Sequence, residues 1–211
     1  MTKRKADHVF INCPFDEEYR PCFEALLFAI THSGYTVRCA LEDVDGANIR
    51  FDKLRKLIQE SPRTIHDLSR IELGANALPR FNMPFELGLA MGAKYFGGPQ
   101  QRKNSALILV RKNYVLSAYL SDLGGNDPVA HDHDPRKVIR AVIRYLHGTP
   151  TGRVLEGPQI AIRRFERFKE TLPAMAADLG RAPDEVDPYH DYAVYLSLLT
   201  EFLEVEQQVA R

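Results

Sequence analysis

The segment LPRFNMPFELGLAMGAKYFG, residues 78–97, holds one carboxylate, that of Glu86, among apolar and small side chains. Asn82 is a typical helix N-cap and Pro84 suits a first turn, so we expect a helix from about Asn82 to Phe96 with Glu86 near its start. Free N–H groups at a helix start favour an ionised carboxylate, whereas apolar neighbours raise its pKa. Such a carboxylate can act as a nucleophile or stabilise a developing cation. The alternative is that Glu86 caps the helix and has only a structural role.

Asp67, at the end of the predicted strand RTIHDLS, is the second candidate for a catalytic carboxylate. It is followed by Ser69, and Arg50 begins an amphipathic stretch earlier in the chain. Arg50 could bind a phosphate or a carboxylate of a ligand. The structural alternatives are a turn or helix cap for Asp67 and a solvated helix face for Arg50. His66 lies within the same predicted strand. A histidine in a strand is more typically a core residue with hydrogen-bonded ring nitrogens than a catalytic base.

Short runs typical of strands alternate with amphipathic helical segments up to about residue 115. The strand segments are HVFINCPF, YTVRCAL, RTIHDLS and SALILVR, and helices are expected in DEEYRPCFEALLFAITHSG, from about Ile49 and from about Asn82. This alternation predicts a doubly wound, flavodoxin-like parallel α/β sheet. Ligands bind at the carboxyl ends of the strands in such sheets, so Asn12, Pro14 and Phe15 after the first strand become candidate binding residues.

After about Asp134 the pattern changes to helices alone, three in number, and the segment from Leu116 to His133 is interpreted as loop. We therefore divide the chain into an α/β domain, residues 1–133, and a helical extension, residues 134–211. The last helix carries an apolar stripe, which could form a homo-oligomer interface or pack on its own sheet. The stripe consists of Tyr189, Tyr192, Tyr195, Leu196, Leu199 and Phe202.

The charge balance excludes some classes of partner. Lys plus Arg and Asp plus Glu both number 28, so the formal net charge is zero. This argues against a general nucleic-acid surface and against a surface for anionic membranes. Three cysteines without a C-x-x-C pair fit a reducing compartment better than a disulfide framework, and no apolar run reaches the length of a membrane span. We expect a cytoplasmic protein.

Two clusters could bind a metal ion, but both have simpler interpretations. Glu42, Asp43 and Asp45 lack the spacing of a calcium loop and are interpreted as an acidic turn. His131 and His133 are interpreted as part of an exposed, flexible loop. The chain has neither a P-loop nor a G-x-G-x-x-G motif. We therefore expect no metal and no bound cofactor.

Three segments together resemble the nucleoside 2-deoxyribosyltransferase superfamily and its TIR-like relatives. The most specific is FNMPFELGLAMG, which is similar to that superfamily's helix-borne glutamate followed by Leu-Gly and a small-residue face. FINCPFDEEYRPCFEAL and RFDKLRKLIQESPRTIHDLSR look like a group of bacterial TIR-like proteins that often occur in defence-associated gene neighbourhoods. The resemblance covers about residues 8–110 and implies chemistry at an N-glycosidic bond.

Under this resemblance Glu86 attacks or stabilises the anomeric carbon of a ribosyl or deoxyribosyl group, and Asp67 binds a sugar hydroxyl or orients Glu86. PRFNMP in place of the usual Asp-Ser/Gly-Gly-Thr run favours cleavage of a nucleotide such as NAD⁺ over base exchange. The alternatives are a deoxyribosyltransferase and a catalytically silent module that binds a nucleotide signal or a partner protein. The residues expected to bind the nucleotide or nucleoside are Asn12, Pro14, Phe15, Arg50, Ser69, Asn82 and Met83.

Overall fold

The structure is a computed structural model that describes residues 5–70, 80–113, 120–148 and 156–209. The described residues form a sheet of five parallel strands in the order β2-β1-β3-β4-β5. The order reverses between β1 and β3, so the carboxyl ends of these two strands form the switch point of the sheet. The strands are β1 His8–Asn12, β2 Thr36–Arg38, β3 Arg63–Asp67, β4 Ser105–Val110 and β5 Val129–Ala130.

Helices cover both faces of the sheet, which confirms the predicted doubly wound α/β fold with C-terminal helices. α1 and α4 pack on one face, and α2 and α3 pack on the other. None of the described helices is long and apolar enough to cross a membrane. The α-helices of the described ranges are α1 Arg20–His32, α2 Arg50–Glu60, α3 Asn82–Phe96, α4 Pro135–His147, α5 Pro158–Asp178 and α6 Tyr192–Val209.

The strands supply side chains to both faces because successive residues of a strand point in opposite directions. In β4, Leu107 and Leu109 join the apolar cluster of α1 and α4, whereas Ile108 and Val110 join the cluster of α3. Because both faces of the strand are buried, its sequence SALILV is apolar at nearly every position instead of alternating. The strand is therefore held between two helical layers, as expected of a parallel sheet.

The helices after residue 133 extend the larger apolar cluster of the fold. Tyr195, Leu199 and Phe202 of α6 are buried, and they pack in the same cluster as Phe168 of α5 and residues of α1. The apolar stripe of the last helix is thus covered by the chain itself through α1 and α5, and its residues Tyr192 and Leu196 also lie beside β2. It leaves little free surface for the homo-oligomer interface that the sequence suggested, and that interface stays a prediction.

The strand β5 was missed by the sequence interpretation, which assigned all of residues 116–133 to loop. Val129 and Ala130 pair with Leu109 and Val110, at the edge of the sheet. Two residues are too short for a periodic pattern, so the loop interpretation was wrong here. The short strand matters because it sets the position of the residue that follows it, His131.

The start of α4 offers a test of local helix stability. Asp134 is the N-cap, and its Oδ1 accepts a hydrogen bond of 2.8 Å from the backbone N–H of Arg136. Asp134→Ala should lower the free energy of unfolding by about 1 kcal/mol, because one of the free N–H groups of the first turn loses its partner. Urea denaturation measures the change. Asp134→Asn keeps an acceptor and should stay within a few tenths of a kcal/mol of the wild type, and an equal loss in both variants would contradict the capping role.

Candidate active site

Glu86 is half-buried and lines a cavity of about 290 Å³ beside the switch point. It is the fifth residue of α3, within the first turns as the sequence predicted. The other walls of the cavity come from the segment after β2 and from α2, and they include Asp43, Arg50, Lys53 and Leu57. The structure thus brings Glu86 and Arg50 together in one cavity, as two of the predicted site residues.

Burial raises the pKa of Glu86 to about 7, and the positive charge of Arg50 opposes this rise. An ordinary glutamate is almost wholly ionised at neutral pH. At pH 7, Glu86 is therefore divided between a carboxylic acid and a carboxylate. A group in this state can act as a general acid, a general base or a nucleophile without a large cost for changing its protonation.

The segment after β2 is held over the cavity by Lys53 of α2 and by hydrogen bonds of its own aspartates. Lys53 Nζ donates to the carbonyl oxygens of Asp43 and Asp45, at 3.0 and 2.8 Å. The Asp43 side chain accepts from the backbone N–H of Asp45, and the Asp45 side chain accepts from that of Ala47. Asp43 and Asp45 thus lie in a hydrogen-bonded turn as predicted, whereas Glu42 ends the short 3-10 helix Ala40–Glu42 and pairs with Arg38. No group of three or more His, Cys, Asp or Glu within the described ranges is placed to hold a metal ion.

Asn12 connects the end of β1 to the first turn of α3. Its side chain is 2% exposed, and Nδ2 donates to the carbonyl oxygen of Met83 at 3.0 Å and contacts Nδ1 of His66 at 3.1 Å. Burial lowers the pKa of His66 to about 3, so the ring is neutral, with Nδ1 as the acceptor and the proton on Nε2. Asn12 therefore fixes the turn that precedes Glu86, a positioning role in addition to the predicted binding role.

The predicted capping role of Asn82 is corrected by the structure. Phe81 occupies the N-cap of α3 with helical dihedral angles, φ −64° and ψ −19°, and no side chain of the described residues caps this helix end. Asn82 is already inside the helix and exposed, so its side chain cannot turn back to the free N–H groups. These N–H groups remain at the end of α3 that carries Glu86, where they favour negative charge.

Asp67 lies in a buried polar cluster, which we define as Asp67, Tyr19, Ser69 and His131. One carboxylate oxygen accepts from the Tyr19 hydroxyl at 2.5 Å and lies 2.9 Å from His131 Nε2, and the other accepts from the backbone N–H of Ser69 at 2.9 Å. Asp67, Tyr19 and His131 are 0% exposed and Ser69 is 3% exposed. Although burial opposes the charge, the hydrogen bonds of His131, Ser69 and Tyr19 hold the pKa of Asp67 below its ordinary value.

His131 and Tyr19 are the members of this polar cluster that the sequence interpretation did not single out as site residues. His131 was assigned to an exposed, flexible loop, and this was wrong because β5 places it directly at the carboxyl edge of the sheet. Its Nδ1 accepts from the backbone N–H of His133 at 3.2 Å. Asp132 and His133 take positive φ values of 52° and 57°, which Asp and His tolerate better than most residues. The HDH triplet is the one sequence signal that could have indicated this turn.

Pro14 and Phe15 lie in the loop after β1, as predicted, but their described contacts are apolar. Pro14 is buried, and the Phe15 ring packs edge-on against Phe23 and Tyr189, with centroids 5.3 and 6.1 Å apart. The predicted site residues thus fall into three groups: Glu86 with Arg50 at the cavity, Asn12 with Met83 under α3, and Asp67 with Ser69 in the buried polar cluster. Asn82 lies at the start of α3, and Phe15 belongs to an aromatic cluster with α1.

The negative charges of both predicted catalytic carboxylates affect the pKa of Cys13, the residue that follows β1. Burial raises the pKa of Cys13 well above its ordinary value, and the negative charges of Asp67 and Glu86 are among the groups that raise it further. The geometry agrees, since Asp67 follows His66, which pairs with Asn12 at the end of β1, and Glu86 lies shortly after Met83, whose carbonyl oxygen accepts from Asn12. Comparisons of the chain with protein-family models, with curated proteins and with solved structures found no match. The family resemblance and the catalytic roles stay predictions that rest on the residues themselves.

The buried polar cluster predicts the effect of removing one hydroxyl. Tyr19→Phe should lower the free energy of unfolding by about 1.5–3 kcal/mol, because the charged Asp67 loses a hydrogen bond where water cannot replace it. Urea denaturation at pH 7 measures the loss. The matched control is Tyr195→Phe, since the Tyr195 hydroxyl is also buried but has no hydrogen-bond partner among the described residues. Equal losses in the two variants would contradict the assigned role of Tyr19.

The raised pKa of Glu86 predicts that its charge destabilises the fold. Between the unfolded pKa near 4.5 and the folded value of about 7, the unfolded chain gives up its proton first, so stability falls as pH rises through this window. Glu86→Gln should therefore stabilise the protein at pH 8.5 by about 1–2 kcal/mol, a value reduced from the full shift because the side chain is half-exposed to solvent, and should have little effect at pH 4.5.

Urea denaturation of Glu86→Gln at both pH values measures this difference. Glu170→Gln, a charge-matched change of an exposed residue on α5, should alter stability equally at both pH values. A Glu86→Gln variant that is no more stable than the wild type at pH 8.5 would show that the carboxylate is not desolvated in the folded state.

Proposed function

We propose that this protein cleaves the N-glycosidic bond of a nucleotide or nucleoside, with NAD⁺ as the first candidate substrate and Glu86 as the catalytic carboxylate. The observation that carries the proposal is the half-buried Glu86, with a pKa of about 7, in a cavity between α3, α2 and the segment after β2, on the side of the sheet where the strands end. The resemblance of FNMPFELGLAMG to the helix-borne glutamate of deoxyribosyltransferase-like and TIR-like proteins supports the same assignment.

The surroundings of Glu86 suit a reaction in which positive charge develops. The sugar becomes an oxocarbenium-like cation while the bond from C1′ to the base nitrogen breaks, and a nearby carboxylate stabilises this cation or traps it covalently. Leu54 and Leu57 in the cavity wall reduce the screening of such an interaction by water. A carboxylate that is destabilised by its own burial gains more from a cation in the transition state than a fully solvated one.

Arg50 gives the cavity one cationic group that could bind a phosphate, beside the carboxylates of Asp43 and Asp45 in the same wall. Arg50 is exposed at the cavity, at the start of α2, and its planar guanidinium can bind two phosphate oxygens at once. Lys53 donates to the carbonyl oxygens of the turn after β2 and pairs with the Asp43 carboxylate at 3.4 Å, so it fixes the wall of the cavity. In this proposal the pyrophosphate of a nucleotide binds Arg50, whereas a nucleoside has no phosphate to make this contact.

The proposed step balances as a hydrolysis. The electron pair of the bond from C1′ to the nicotinamide nitrogen moves to the ring, and neutral nicotinamide leaves. Water supplies the hydroxyl that bonds to C1′, either on the cation or on a sugar ester of Glu86, and its proton passes to solvent. Asn12 holds the first turn of α3 and thereby the position of Glu86. Asp67 and Ser69 position the chain that follows β3, where their hydrogen bonds lie.

Purified protein incubated with NAD⁺ should release nicotinamide, measured by chromatography. Glu86→Gln should lower the rate more than about 100-fold, which corresponds to roughly 2.7 kcal/mol of barrier. Glu170→Gln is the matched control and should retain the wild-type rate, because Glu170 lies on α5, in the helical layer on the other face of the sheet from α3. Base release only in the presence of a second base would indicate a transferase instead.

A Glu86→Gln rate within a few-fold of the wild type would overturn the catalytic assignment. A wild-type protein that turns over neither NAD⁺ nor a panel of nucleosides and nucleotides, with or without a second base, would overturn the enzymatic proposal. Nucleotide binding measured by calorimetry in that case would identify a silent binding module.

The pH dependence of the reaction follows from the carboxylate form of Glu86. The value of kcat/KM should fall about tenfold per pH unit below pH 7, because the free enzyme must have Glu86 ionised to stabilise the cation. Above pH 7 the profile should be level. A profile that instead falls as pH rises through 7 would show that Glu86 acts in its protonated form, as an acid for the leaving base.

A further inference from the structure

One face of α3 carries large apolar side chains that nothing in the described structure covers. We define the outer face of α3 as Phe81, Phe85, Gly88, Gly92, Tyr95 and Phe96. Phe81 is 68% exposed, Tyr95 62% and Phe96 90%. At 100° per residue these six positions fall within one narrow stripe of the helix, opposite the buried Ala90. No charged residue belongs to this face.

The two glycines of the outer face have no explanation in the contacts of the described residues. A Cβ added at Gly88 or Gly92 would meet no atom within 4 Å, so no neighbour requires glycine at either position. Glycine is the least favourable residue for a helix interior apart from proline. Two such residues, four apart on an exposed face, are explained if another backbone approaches closely there.

The spacing of the outer face is symmetric. Phe85, Gly88, Gly92 and Tyr95 are separated by three, four and three residues. A two-fold axis perpendicular to α3 at the level of Ala90 exchanges position 85 with 95 and position 88 with 92. A second copy of the same helix, running antiparallel, would then place an aromatic ring over an aromatic ring and a glycine over a glycine.

From this symmetry we propose that the protein forms a two-fold dimer in which the outer faces of two antiparallel α3 helices pack against each other. Phe85 of each copy lies against Tyr95 of the other, and the glycines let the two backbones approach. A partner of another kind would have to reproduce this spacing by chance, whereas a second copy supplies it necessarily. The proposal is independent of the proposed function, since Glu86 points from another side of α3 towards α2.

The available area is consistent with a specific interface. The four aromatic rings of the outer face together expose about 500 Å² per copy, of the roughly 800 Å² that a standard interface buries on each partner. The neighbouring α2 can supply the remainder. Phe51 is 48% exposed and lies 6.3 Å from Phe85 between ring centroids, beside a groove of about 450 Å³ between α2 and α3.

Light scattering coupled to size-exclusion chromatography tests the dimer at protein concentrations from about 1 to 100 µM, the range in which a micromolar Kd is visible. The wild type should approach twice 24.0 kDa at the upper end. Phe85→Lys and Tyr95→Glu should each give a monomer, because each places an unpaired charge against an apolar ring. The combined variant should regain the dimer, since each new lysine then faces a new glutamate of the other copy.

Two further variants separate association from folding. Gly92→Leu should give a monomer at every concentration. At the lowest concentration, where dimer formation no longer stabilises the wild type, the variant should unfold at a higher temperature because its helix gains stability. Val205→Lys is the matched control, since Val205 on α6 is 53% exposed, much like Phe85, and lies outside the outer face. It should leave the dimer intact.

Three results would each overturn the proposal. The first is a wild type that remains monomeric at every concentration. The second is a dimer that persists in both single charge variants. The third is a combined variant that associates no better than the single variants, which would exclude the antiparallel pairing of Phe85 with Tyr95. Circular dichroism of each variant confirms that the fold is retained before its mass is interpreted.

Discussion

The structure depends on how the carboxyl ends of β1 and β3 accommodate two carboxylates beside an apolar core. Asp67 and Glu86 both lie near the end of β1, yet their environments differ in kind. Asp67 is fully buried and has hydrogen bonds from Tyr19 and from the Ser69 backbone, together with a close contact to His131. Glu86 is half-buried and has no comparable hydrogen bonds among the described residues, and the charge of Arg50 in the same cavity partly offsets its burial. The pKa of Asp67 is therefore lowered and that of Glu86 is raised. Proteins use such opposite shifts to give a structural and a reactive carboxylate different roles.

Asn12 is the link between these two environments. It sits on the α2/α3 face of β1, next to His66 of β3, and it holds the Met83 carbonyl in the first turn of α3. A single buried side chain therefore couples the position of two central strands to the position of Glu86. Because buried amide hydrogen bonds are costly to leave unmade, replacing Asn12 would disturb both contacts at once.

Much of the fold could be predicted because its elements are long or strongly periodic. The bounds of α3 agree with the sequence prediction, since Met83, Leu87 and Ala90 recur at helical spacing on one face. The placement of Glu86 near a helix start followed from the same pattern. The cavity did not, because it forms only when α2 and the turn after β2 pack beside α3. His131 was misplaced because its burial depends on a two-residue strand, which leaves no periodic signal.

The composition of α3 makes sense only when its faces are considered separately. Met83 and Leu87 pack on the sheet, Glu86 and Ala93 lie towards α2, and the outer face carries aromatic rings with two glycines. A helix that is apolar on nearly every side is normally buried all round, whereas α3 lies at the surface of the chain. Its sequence is therefore more apolar than its contacts with the other described residues require, and the excess lies on the face whose spacing is symmetric. Fold, candidate chemistry and candidate association each use a different side of the same fifteen-residue helix.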